Sequence, residues 1–249
     1  MNEFAKSIEI YNMNITYITL LFKKHKKHLP ERFKDTFLGE FCRYGFMIFL
    51  SAWLLQGVRI SNWREIVIRY SIDFILIATM SLLGIHWALA FFIAHSINFT
   101  LNGQLYAMYT HMGATSVNPE QFLNNTIRIS KMIEKHKFIC ASIAYGSLSR
   151  GCYRKTSDID IRLIPAKGGW WRTALYAVYL RAWAFLRGYP LDLYCYESYE
   201  VVKKMRSDEL PIMVNEREQC MAELYPERVE FEDFIEIFVQ TNLNTEYDR

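Results

Sequence analysis

Two aspartates stand two residues apart in the run Ser157-Asp158-Ile159-Asp160-Ile161, and a third, Asp192, breaks the apolar run Leu191-Asp192-Leu193-Tyr194. On an extended strand, residues i and i+2 project to the same face, so Asp158 and Asp160 lie side by side while Ile159 and Ile161 face a core. Asp192 repeats the arrangement between Leu191 and Leu193. If the two strands are neighbours, three carboxylates converge on one small area, and their repulsion at low local dielectric demands a counter-charge. A hard dication with oxygen ligands supplies it. Mg2+ suits, with Mn2+ as a substitute, because it takes a few carboxylates together with substrate phosphate. Two such ions would hold the attacking and leaving oxygens of an in-line displacement at phosphorus. The loop before these aspartates offers groups for the phosphates. Gly146-Ser147 at a strand end turns the backbone and presents N–H groups and a hydroxyl, and Arg150, Arg154 and Lys155 can neutralise a polyphosphate. A site that takes metal and triphosphate together performs phosphoryl or nucleotidyl transfer, where catalysis is mainly positioning and charge stabilisation.

The same run carries a likeness. Gly146-Ser147, ten intervening residues and then Asp158-Ile159-Asp160 resembles the signature of the DNA polymerase β-like nucleotidyltransferase superfamily. It is most similar to the minimal nucleotidyltransferase branch, through Ser149, Arg150, Gly151, Ser157 and Asp158 as well as the Gly-Ser pair. The resemblance implies an NTP substrate, with ATP expected. Asp158, Asp160 and Asp192 would bind the metals, and Asp192 would also help deprotonate the acceptor hydroxyl. Gly146 and Ser147 would hold the triphosphate, with Arg150, Lys155 and Ser157 completing the nucleotide site. The likeness covers residues 118–223, less than half the chain.

The elements that must position these groups read as α-β-β-α-β-α. Asn118-Pro119 caps a helix that runs to about Lys137, Phe138–Tyr145 and Asp158–Ile164 read as strands, and Gly168–Arg187 is an apolar-striped helix. Pro190–Glu197 reads as a third strand, Ser198–Ser207 and Glu216–Leu224 as short helices, and the end of the chain as an acidic tail with Glu230, Glu232, Asp233 and Glu236 on a solvated helix face. The expected fold class is α+β: a small mixed sheet packed with helices over 118–249, preceded by an all-α hydrophobic hairpin in an N-terminal region, 1–117.

That N-terminal region dominates the composition. Of the 249 residues, 51% are apolar and 16% aromatic, and the excess is concentrated between Tyr44 and Leu101. Residues 74–97 contain no Asp, Glu, Lys or Arg, and about 20 apolar residues suffice to span a bilayer. Segment 74–97 is therefore expected to be transmembrane. Segment 42–60, with fifteen uncharged residues, is a marginal second span that could instead be re-entrant or interfacial. The alternative for both is a buried hydrophobic helical hairpin in a dimer. Eight Lys and Arg in residues 1–43, including Lys23, Lys24, Lys26, Lys27, Arg32 and Lys34, against three in the link Arg59–Asp73, put the N-terminus in the cytoplasm. With both segments crossing an inner membrane, the catalytic half faces the cytoplasm too. Beyond them, His95, Asn98, Asn102 and Tyr106 share one helical face, for helix–helix contact or a head group. His86 reads as a packing histidine. Five dispersed cysteines without a CxxC pair indicate neither a disulfide framework nor a zinc site. The net charge of +3 is too small to argue for nucleic acid, and no nucleic-acid partner is expected.

The expectation is thus a membrane-anchored enzyme that moves an NMP, AMP first among them, onto a hydroxyl or phosphate of a lipid-linked glycan or envelope precursor. It would be able to form a homo-oligomer through its hydrophobic helices. Two alternatives share the motif: an antitoxin-like enzyme that AMPylates a partner protein, and a non-catalytic nucleotide-binding membrane scaffold.

Overall fold

The computed structural model describes residues 19, 21–24, 36–56, 61–102, 104–111, 117–145, 148, 153–154, 157–196, 210–217, 225 and 227–243. Their centre is a five-stranded mixed sheet of β1 (Ile139–Tyr145), β2 (Ile159–Pro165), β3 (Leu191–Cys195), β4 (Ile212–Glu216) and β5 (Val229–Glu230) in the order β3-β2-β1-β4-β5. β1 runs antiparallel to both β2 and β4, whereas β2 pairs in parallel with β3, and β4 with β5. A parallel pair needs a crossover. Helix α7 (Trp170–Leu186) supplies it between β2 and β3.

Alternation along the strands decides the two faces. Ile159, Ile161, Leu163, Leu191, Leu193 and Cys195 turn to one side and join the main core. Three helices close that side: α6 (Pro119–Glu134), α7 and α8 (Phe231–Asn242). Helix α6 forms where expected, with the Asn118 side chain accepting from the Glu120 amide at 2.8 Å and Pro119 in the first turn. It buries Phe122, Thr126, Ile129 and Ile133, a helical stripe. The expected acidic tail is helix α8. Its carboxylates Glu232, Asp233 and Glu236 are exposed, while Phe231, Phe234 and Phe238 enter the core from the opposite face. Glu216, expected to begin a helix, instead ends strand β4; residues 218–224 and the expected helix over 198–207 lie outside the described residues.

The N-terminal residues form α1 (Phe37–Phe41), α2 (Gly45–Leu55), α3 (Trp63–Leu82), α4 (Trp87–Leu101) and α5 (Gln104–His111). Here the structure overturns the transmembrane expectation. Among the described residues, no helix is long and apolar enough to cross a membrane. The run 74–97 is two helices, not one. α3 ends at a Schellman motif: Gly84, at φ +86°, donates its N–H to the Ser81 carbonyl, and Ile85 donates to Met80. His86 then caps α4, its Nδ1 accepting from the Ala88 amide at 3.3 Å, in place of the packing role expected for it. Each piece is short or charged. α4 has 15 residues, about 22 Å of helix against a hydrocarbon thickness of about 30 Å. α3 is longer but carries Arg64, Glu65, Arg69 and Asp73. In the other segment, α2 stops after 11 residues at Gln56, whose backbone is left-handed (φ 42°).

Because Gly84 has open space where a Cβ would stand, Gly84→Ala carries only the conformational penalty of a left-handed residue. A stability loss of about 1 kcal/mol in chemical denaturation is expected, with the fold unchanged.

Candidate active site

The face of the sheet away from α6, α7 and α8 carries the acidic residues, and strand register decides how close they come. Asp160 on β2 is the direct partner of Asp192 on β3, and Tyr145 on β1 is the partner of Asp160 across the other edge. Asp158 immediately precedes β2, half-buried. One row along, Arg162 is opposite Tyr194. The alternation Asp158, Asp160, Arg162 therefore continues the acidic face with a cation, a residue that the sequence reading passed over although it stands at i+2 from Asp160.

Among the described residues, Arg162 is the cation that pairs with this acidic face. Its Nη2 donates to Asp160 Oδ1 at 3.1 Å, its Nη1 reaches the Asp192 and Ile161 carbonyls, and its guanidinium lies 4.9 Å from the Tyr194 ring centroid and 5.9 Å from that of Tyr196. Burial pushes the Asp160 carboxyl up from 3.8 to about 7; Arg162 opposes the rise, and the negative charges of Asp192 and Asp158 add to it. Arg162 in turn is penalised by burial, but Asp160 and Asp192 more than offset this and raise its affinity for the proton.

The loop leading here is only partly described. Gly146, Ser147, Arg150 and Lys155, expected to hold the triphosphate, lie outside the described residues. Ser157, expected beside them, is buried and has a local role: its Oγ accepts from the Arg154 amide at 2.9 Å, and its own N–H donates to the Arg154 carbonyl at 2.8 Å. That closed turn delivers the chain to Asp158 at the start of β2.

Whether these residues suit a metal is a question of donor chemistry. Among the described residues, no set of three or more His, Cys, Asp or Glu side chains already stands in metal-coordinating geometry. The donors themselves are hard carboxylate oxygens, two of them on directly paired residues, Asp160 and Asp192. Such a set fits Mg2+ or Mn2+ better than a soft metal.

The site's outer wall is built by the N-terminal helices. β3 is an edge strand, and unpaired edge groups need cover. Arg181 of α7 donates through Nε to the Leu193 carbonyl at 2.8 Å and pairs with Glu65 of α3; the other Glu65 oxygen accepts from the Cys195 amide at 3.3 Å. This fully buried ion pair takes the place of a neighbouring strand. Further along α3, Asp73 Oδ2 meets His95 Nδ1 at 2.7 Å, and Asn98 donates to Asp73 Oδ1 at 2.8 Å. His95 Nε2 donates to the Trp53 carbonyl at 2.9 Å, and Asn102 donates to the Asn98 carbonyl at 2.9 Å. The polar face noticed on α4 is thus a helix–helix contact.

No model of a known family matches this chain, and comparison with curated proteins and with solved structures likewise finds no match.

Proposed function

We propose that this chain is a metal-dependent nucleotidyltransferase of the DNA polymerase β-like type, which moves an NMP, AMP first among the candidates, from an NTP to a hydroxyl or phosphate and releases pyrophosphate. The observation that carries this reading is the direct pairing of Asp160 with Asp192 on neighbouring parallel strands, with Asp158 at the entry to the first of them. Asp158, Asp160 and Asp192 are the residues that would hold Mg2+. Bound there, Mg2+ would neutralise triphosphate charge and acidify an acceptor hydroxyl. The protein's own part is positional: Arg162, hydrogen-bonded to Asp160, orients that carboxylate, and Asp192, directly paired with it, would take the proton of the acceptor hydroxyl.

A lipid-associated acceptor is supported by the turn between α3 and α4. Leu82 is 89% exposed, Leu83 77% and Trp87 68%, with Phe74, Ile75 and Phe92 also in solvent, an apolar surface of the kind that engages a partner or a lipid face. The ion pair Arg162–Asp160 favours a second reading, a nucleotide-binding protein without catalysis, because it places a cation on a residue meant for metal.

Incubation of the full chain with Mg2+, α-labelled NTPs and either a lipid extract or a soluble protein extract separates these. Label entering the lipid fraction is the expected outcome. Label on a protein would favour the AMPylating alternative, and tight NTP binding without transfer to either fraction would favour the scaffold.

A further inference from the structure

Helix α3 turns its charges inward and leaves an apolar stripe outside. Glu65, Arg69 and Asp73 are buried, while Trp63, Val67, Tyr70 and Phe74 are exposed. The spacing of those four, by four, three and four residues, is the seam that one helix offers another in a coiled coil.

A second stripe lies beside the first. α7 packs against α3 and exposes Trp171, Leu175 and Tyr179. Trp171 meets Trp63 edge to face, with ring centroids 5.5 Å apart, and so joins the two stripes. All seven side chains are between 42% and 73% exposed. At about 150–250 Å2 for a whole aromatic side chain, together they present on the order of 800 Å2. That exceeds the largest apolar patch of an ordinary monomer and equals what each partner contributes to a stable interface.

The surface has a shape as well as an area. A groove of about 480 Å3 on α3 is lined by Val67, Tyr70, Ser71, Phe74 and Ile75. The first four stand at i, i+3, i+4 and i+7, the corners of the hole that receives one knob from a facing helix. A lipid face needs neither a heptad nor a hole, whereas a helix of the same spacing uses both. Knobs and hole lie on one surface, so the stripe is self-complementary, the condition for a two-fold interface between identical chains. Antiparallel α3 helices about such an axis would set the Arg64 end of each copy against the uncharged end of the other, which keeps like charges apart.

We propose that the outer face of α3, flanked by α7, is the interface of a homodimer, with a second copy of this chain filling the groove. The interface runs from Trp63 to Phe74. Leu82 lies about 12 Å further along the helix, so the turn between α3 and α4 stays outside the interface and free for a lipid-facing role. The dimer stands on the two helices alone and is independent of the nucleotidyl-transfer reading.

The test is sedimentation of the full chain, without detergent and over a dilution series. Wild type is compared with Tyr70→Glu, Phe74→Glu, Tyr70→Phe and Leu83→Glu, and circular dichroism melting checks that each variant folds. Wild type, Tyr70→Phe and Leu83→Glu are expected to be dimers. Tyr70→Glu should raise the dissociation constant roughly a hundredfold or more, because the two-fold axis places the new charge in the interface twice. Phe74→Glu, at the most exposed position of the α3 stripe, should act likewise and serves if Tyr70→Glu fails to fold. A monomeric wild type overturns the proposal. Flotation with phosphatidylcholine vesicles, lost in Tyr70→Glu, would then assign the stripe to a lipid surface; no flotation would assign it to a different protein segment. A dimer that survives both glutamate substitutions in the stripe, or that only Leu83→Glu breaks, overturns it as well.

Discussion

Asp160→Asn is expected to lose nucleotidyl transfer by about 10³-fold or more and, at the same time, to make the fold more stable at pH 8. The two effects have one origin. The Asp160 carboxyl titrates at 3.8 when exposed to water and at about 7 in the fold, first through burial and then through Asp192 and Asp158, against the pull of Arg162. Below pH 3.8 it is protonated in both states and costs nothing. As pH rises toward 7 the unfolded chain ionises while the folded chain resists, so the folded state loses stability across that window and carries the whole penalty above it. A shift of this size corresponds to roughly 4 kcal/mol.

Asparagine keeps the shape and removes the titration, so the stability difference between Asp160→Asn and wild type should grow from pH 4 to pH 7 and then level off. Urea denaturation at several pH values checks this. Mg2+ should raise the melting temperature of wild type at pH 8, do so less at pH 5, and have little effect on Asp160→Asn. A variant that is less stable than wild type at pH 8 would mean that the ion pair with Arg162 outweighs the crowding of carboxylates.

The second large effect lies away from the site. Glu65→Ala is expected to destabilise the protein by about 3–5 kcal/mol, and Arg181→Met by a similar amount, because each leaves a buried charge without its partner. Both also strip cover from β3, Glu65 from the Cys195 amide and Arg181 from the Leu193 carbonyl. The double variant Glu65→Ala/Arg181→Met should lose less than the sum of the single variants, since it removes both charges together. Denaturation of the four proteins measures the coupling. Asp192 sits on the same strand, so Glu65→Ala should also lower activity even where it remains folded. Additive losses would show that the pair is held by its backbone contacts and not by mutual charge.

The part of the fold that carries the carboxylates was legible because its signals are local. The alternation in β2 and β3, the apolar length of α7 and the Asn118-Pro119 cap each lie within a few residues. Strand pairing is not local, so the register that sets Asp160 against Asp192 was only a condition in the sequence. β4 and β5 were missed. The apolar core of β4 is no more than Ile212-Met213-Val214, and β5 has two residues. At the N-terminal side, counting uncharged residues from Phe74 to Ile97 hid two punctuation marks, Gly84 as a helix stop and His86 as a cap. The Glu65-Arg69-Asp73 series, spaced four apart, was readable as a buried polar face of α3 but passed as a connecting link. The partner of Glu65, Arg181, lies 116 positions away, and no spacing rule in the sequence joins them.

Two labels on the same nucleotide test the central claim most directly. ATP labelled at the α-phosphorus and ATP labelled at the γ-phosphorus would be incubated in parallel with the full chain, Mg2+ and cell extract, beside Asp158→Asn. Nucleotidyl transfer requires α-label in the acceptor, γ-label only in released pyrophosphate, equal amounts of each, and neither with the variant. Appearance of γ-label in the acceptor, or transfer that survives Asp158→Asn, would contradict the assignment of this site to nucleotidyl transfer.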